Sequence, residues 1–144
     1  MQLNQKGIDL IKSFEGCRLQ SYQDQGGIWT IGYGATGDDI GPNMEWTQEQ
    51  ADARLVQDLH STENHVSSCL KVSLSDNKFS ALVSFAYNVG CGNFEHSTLL
   101  RYVNVQDFEA AHAEFAKWDR VGGVERPGLE RRRLAEAALF ADPS

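Results

Sequence analysis

The sequence lacks any long apolar run: its uninterrupted hydrophobic stretches are only a few residues, and none could span a bilayer. It also lacks a basic opening segment followed by an apolar one, so no signal peptide is seen and synthesis in the cytoplasm is expected. Cysteine is scarce, with Cys17, Cys69 and Cys91 forming no C-x-x-C pair, and the four histidines (His60, His65, His96, His112) do not cluster with them along the chain. Free thiols are expected, with one disulfide after export as the lesser alternative, and no metal or other cofactor is indicated. There are three prolines, no Pro/Gly linker, no repeat and no low-complexity stretch, so the 144 residues read as one domain. Positive charge is also short, with 13 Lys and Arg against 20 Asp and Glu and a net charge of −7, which argues against a nucleic-acid partner. Lys117 to Arg133 is the exception. Six basic side chains (Lys117, Arg120, Arg126, Arg131, Arg132, Arg133) there outnumber three acidic ones, leaving −10 on the remainder. Such a strip can meet an anionic polymer, but neutralising buried carboxylates at a helix end is the preferred reading.

What is present has clear periodicity. Asn4 as N-cap, the spacing of Ile8, Leu10, Ile11 and Phe14, and the stop Gly16 predict a helix over 4–15. Residues 17–36 turn β-favouring (Leu19, Tyr22, Ile28, Trp29, Ile31, Tyr33) between glycines, which predicts two or three short antiparallel strands, followed by a loop over 37–43. Thr47-x-x-Gln50 is a capping box. The stripe Ala51, Leu55, Leu59, Val66 behind it carries one long helix to about Cys69. Ser75 caps a helix apolar on more than one side, hence deeply buried, which stops at Gly90. Further helices are expected from about Ser97, over Asp107–Trp118 and over Pro127–Phe140, with Gly122-Gly123 as the break between the last two. The fold class is α+β. A small N-terminal lobe with a short antiparallel sheet (about 17–46) is joined by a long helix (about 47–69) to a larger, all-helical C-terminal lobe (about 70–144, plus helix 4–15).

The chemistry concentrates in the first part of the chain. Glu15 ends a helix, where the negative end of the dipole disfavours its charge and where stability alone would place Lys or Arg. Partial burial beside Phe14 would raise its pKa, as suits a general acid, although an ordinary pair with Arg18 would also explain it. Asp24 follows after eight intervening residues, in a polar turn where aspartates usually bond their own backbone. Thr30 follows after five more, in a strand that its β-branching favours in any case. Two carboxyls in contrasting environments are the minimum equipment for hydrolysing a glycosidic bond.

The spacing Glu15-x8-Asp24-x5-Thr30, followed by Ile31-Gly32-Tyr33-Gly34, closely resembles the bacteriophage-type lysozymes, the endolysins and muramidases of glycoside hydrolase family 24. The resemblance continues through Ala81–Gly90, Ser97–Arg101, Phe115-x-x-Trp118, Gly122-Gly123 and Gly128-Leu129-x-x-Arg132-Arg133-x-x-Glu136, covering about residues 3 to 140. It implies a lysozyme-like fold and cleavage of the β-1,4 bond between N-acetylmuramic acid and N-acetylglucosamine, without a cofactor. In it Glu15 is the acid, Asp24 stays ionised, Thr30 holds the attacking water, and Tyr33 and Gly34 contact the glycan. One of Arg131, Arg132 or Arg133 supports Glu15, with Arg132 the marginal choice. Ala35 departs from the histidine usual in relatives, which puts that histidine's ion pair in doubt, not the trio. The implied partner is the glycan strand of peptidoglycan. The implied protein is a monomer, made in the host cytoplasm and released to the periplasm and wall through a holin-type pore. The rivals are a lytic transglycosylase and a lysozyme-like structural or wall-binding module of a phage.

Overall fold

The computed structural model describes residues 1–121, 124, 125 and 127–143. The chain divides into two compact units, one of Met1–Ile11 with Thr62–Ser144 and the other Lys12–Ser61. The expected break at Gly122-Gly123, the basic Arg126 and the side chain of Arg120 lie outside the described residues.

In the unit Lys12–Ser61, two strands pair antiparallel, β1 (Arg18–Gln23) and β2 (Trp29–Gly32), with a register shift between Arg18 and Tyr22. Single bridges join Gln20 to Glu45 and Ile31 to Ala35, in place of a full third strand. A small core of Ile31, Ala35 and Ile40 is covered by Trp29, Met44 and Trp46. Ala35 is thus a packing residue here. Helix α2 (Gln48–Cys69) starts on the capping box: Gln50 N–H donates to Thr47 Oγ1 at 3.1 Å, and Thr47 N–H to Gln50 Oε1 at 2.8 Å. Its stripe Ala51, Leu55, Leu59 and Val66 is buried. Both α2 and α1 (Gln5–Glu15) run in sequence from one unit into the other.

In the other unit, Asn4 caps α1 by accepting from Gly7 N–H at 3.0 Å, and its own N–H donates to Ser80 Oγ at 3.0 Å. Gly7 allows this approach, since a Cβ there would fall 2.6 Å from Ser80 Cβ. Ser80 belongs to α3 (Asp76–Val89), capped by Ser75 and buried from Phe79 to Ala86. Phe85 meets Phe94, Phe115 and Trp118 edge to face, the arrangement aromatic quadrupoles favour.

The rest of this unit is largely helical. Helix α4 (Cys91–Glu95) was not expected from the sequence. Ser97 and Asp107 cap α5 (Thr98–Asn104) and α6 (Phe108–Glu114). The segment expected as one helix to Trp118 tightens into a 3₁₀ turn at Phe115–Lys117. A short antiparallel ladder, β3 (Arg120–Val121) with β4 (Val124–Glu125), adds strand to a part expected to be all helical. Helix α7 (Pro127–Ala141) closes the chain. No helix among the described residues is long and apolar enough to cross a membrane.

Candidate active site

Glu15, Asp24, Thr30, Tyr33 and Gly34 all fall in the unit Lys12–Ser61. Glu15 is the last residue of α1 and half-buried. The helix stops after it because Gly16 takes φ +68° and returns its N–H to Lys12 O at 3.1 Å, an αL ending. Gly34 lies against the carboxyl, since a Cβ on it would stand 3.7 Å from Glu15 Oε1. Mutual bonds close the turn that carries Gly34, Ile31 N–H to Ala35 O at 3.1 Å and Ala35 N–H to Ile31 O at 2.8 Å.

Asp24 is exposed in the turn between β1 and β2. Its Oδ1 accepts from Gly26 N–H at 2.8 Å and from Ile28 N–H at 2.9 Å. The aspartate therefore does bond its own turn, and it does so through one oxygen. Thr30 is 5% exposed and pairs across the ladder with Tyr22. Its hydroxyl donates to Ile28 O at 3.0 Å, so the oxygen's lone pairs are aimed as acceptors. The two carboxyls thus differ as the sequence suggested: one is half-buried at a helix end, the other exposed and held by backbone N–H groups.

Lys12, Gln48 and Asp52, which sequence reasoning passed over, hold this arrangement together with Tyr33. Tyr33 is buried, and its hydroxyl donates to Asp52 Oδ1 at 3.0 Å. The Gln48 amide donates to Tyr33 Oη and to Asp52 Oδ1, both at 2.9 Å. Lys12 Nζ stands 3.4 Å from Asp52 Oδ1 and 5.7 Å from the Tyr33 ring centre. Lys12 lies one helical turn before Glu15, so the network fixes the last turn of α1 to the first turn of α2. The bond from Gln48, then those from Tyr33 and Lys12, hold the Asp52 carboxyl below its ordinary pKa against desolvation. Burial first, then Asp52, pushes the Tyr33 hydroxyl up. The sequence signal was available: Gln48 and Asp52 are spaced i,i+4 at the start of a capped helix.

In the same unit, a hollow of about 400 Å³ is lined by Gln20, Ser21, Trp29, Asn43, Met44 and Glu45. Arg18 stacks on the Tyr22 ring, its guanidinium carbon 4.3 Å from the ring centre.

Part of the basic strip resolves into buried pairing, while Lys117 and Arg131 are exposed. In α7, Arg132 and Arg133 are 3% and 1% exposed, and Glu136 is fully buried between them. Arg132 Nε donates to Glu136 Oε2 at 3.3 Å and its Nη2 to Ser84 O at 3.2 Å. Arg133 donates to Glu136 Oε1, to Asn88 Oδ1 and, at 3.0 Å, to Trp118 O. Burial pushes the Glu136 pKa up, while Arg133, Arg132 and the Ser84 hydroxyl pull it down. Lys117 pairs with the buried Glu114 at 2.9 Å. The service of Arg132 to Glu15 joins residues of different units and stays an expectation of the sequence.

One separation read from the sequence does not hold. His65 and Cys69 come together, with Nε2 and Sγ 3.6 Å apart. All three cysteines are free thiols.

Residues 12–136 match the family model described as Phage lysozyme. The curated endolysin of Bacillus phage PZA is 46% identical over 142 residues, covering 97% of this chain and 55% of that protein, so the chain spans about half the length of that relative. An endolysin of Acyrthosiphon pisum secondary endosymbiont phage 1 is 43% identical over 145 residues, covering 97% and 98%. Among solved structures, the muramidase domain of SpmX from Asticaccaulis excentricus superposes with a TM-score of 0.92 at 37% identity over 99% of each chain.

Proposed function

The chain belongs to the phage lysozyme family, and on that premise we propose that it is an endolysin hydrolysing the β-1,4 bond between N-acetylmuramic acid and N-acetylglucosamine in peptidoglycan. Glu15 acts as general acid and protonates the departing glycosidic oxygen. Asp24, ionised, serves the opposite face of the sugar together with water. Thr30 accepts a hydrogen bond from that water, its own proton being committed to Ile28 O. Gly34, with no side chain beside the Glu15 carboxyl, leaves room for the glycan there. Water attack with inversion follows in this reading, and that route requires the two carboxyls about 6.5–9.5 Å apart.

The observation that carries the reading is the contrast between the carboxyls within one unit: Glu15 half-buried at a helix end, Asp24 exposed and held through one oxygen. Two carboxyls in contrasting settings are what hydrolysis of a glycosidic bond calls for. The chain acts as a monomer and reaches the periplasm through a holin-type pore. The discriminating experiment compares wild type with Glu15→Gln on permeabilised Gram-negative cells. Loss of turbidity with the first and none with the second is expected. Equal lysis by both, or by neither, overturns the assignment.

A further inference from the structure

We propose that His65, Cys69 and Glu95 form a site for a thiophilic divalent cation, zinc above all. All three residues belong to the unit Met1–Ile11 with Thr62–Ser144, whereas the residues proposed for hydrolysis belong to the other, so the two proposals stand independently.

The ligands arrive from two helices. The last turns of α2 carry His65 and Cys69 at i,i+4, which puts both on one helix face. The short helix α4 carries Glu95 as its last residue. His65 Nε2, Cys69 Sγ and a Glu95 carboxylate oxygen all lie within 4.8 Å of one another. Zinc–sulfur and zinc–nitrogen bonds at a tetrahedral angle separate the two ligand atoms by about 3.6 Å. His65 and Cys69 already stand at 3.6 Å. Glu95 has to close in by about 1 Å to complete a three-ligand set, a side-chain adjustment. A dication displaces the Cys69 thiol proton and binds the thiolate. One thiolate, one imidazole and one carboxylate, with water as the fourth ligand, are a donor set suited to tetrahedral zinc. The bound ion would staple α4 to the end of α2.

The test uses the full chain, stripped with a chelator and kept in a non-thiol reductant. Zinc is titrated in competition with a chromophoric chelator, and cobalt serves as a spectroscopic substitute. Wild type should take up a single equivalent, show a thiolate-to-cobalt charge-transfer band with the visible bands of a tetrahedral ion, and unfold at higher temperature with zinc. Cys69→Ser should lose the charge-transfer band, and His65→Gln and Glu95→Gln should each weaken zinc by roughly tenfold or more. Cys17→Ser, altering an exposed thiol, should bind like wild type. Failure of wild type itself to bind zinc overturns the proposal. So does binding that survives in folded Cys69→Ser and His65→Gln, as does a cobalt spectrum without thiolate charge transfer.

Discussion

A glutamate at the last position of a helix opposes the dipole, and that local cost makes Glu15 informative. Glu15→Gln is therefore expected to abolish lysis while thermal unfolding stays equal or rises slightly. Substantial lysis by the variant would remove Glu15 as the acid. Thr30→Val keeps the branching and volume but deletes the hydroxyl that donates to Ile28 O. Lysis should fall by orders of magnitude while saccharide binding persists, with a stability loss of about 1 kcal/mol for the missing bond. Wild-type turnover in Thr30→Val would reduce the residue to a good strand former. Glu136 has a structural part. Glu136→Gln leaves two buried guanidiniums without their counter-charge, and urea unfolding should show a loss of about 3–5 kcal/mol. A loss under ~1 kcal/mol would mean that water or another group takes over the pairing.

At the scale of elements, the join between α1 and α2 is electrostatic. Because the folded Asp52 carboxyl titrates below its unfolded value, its contribution is complete above the unfolded pKa and is lost as pH falls through the folded one. Asp52→Asn should accordingly flatten the acid limb of the stability profile, read as urea midpoints at neutral and acidic pH. An unchanged acid limb would contradict the network's role. The contact of α1 with α3 is steric. Gly→Ala in an exposed helix interior gains up to about 1 kcal/mol, yet Gly7→Ala should destabilise because its Cβ would lie 2.6 Å from Ser80 Cβ. A raised melting temperature would show that the helices part easily. Helix starts were legible because caps are local: Asn4, Thr47 with Gln50, Ser75, Ser97 and Asp107 each bond a nearby backbone N–H. Helix α4 and the β3–β4 ladder were not legible. A five-residue helix after Gly90, with Gly92 inside it, and two-residue strands are too short to carry a period.

For the molecule as a whole, the sequence foreshadowed the α+β class and the family because motifs recur in order along nearly all of the chain, and residues 12–136 match the family model. It also foreshadowed the buried use of the arginine strip, since Arg132, Arg133 and Glu136 share one helix at i,i+4 and i,i+3. It did not disclose partners distant in sequence. Tyr33 with Asp52 depends on how a turn meets a helix, and Cys69 with Glu95 on how one short helix meets a long one. The central claim concerns a bond, and the chemistry of the cut ends tests it most directly. Purified peptidoglycan digested by the protein and reduced with borohydride should yield fragments ending in reduced N-acetylmuramic acid, identified by mass spectrometry. Fragments ending in anhydro-muramic acid or in reduced N-acetylglucosamine, or no fragments at all, would contradict the account.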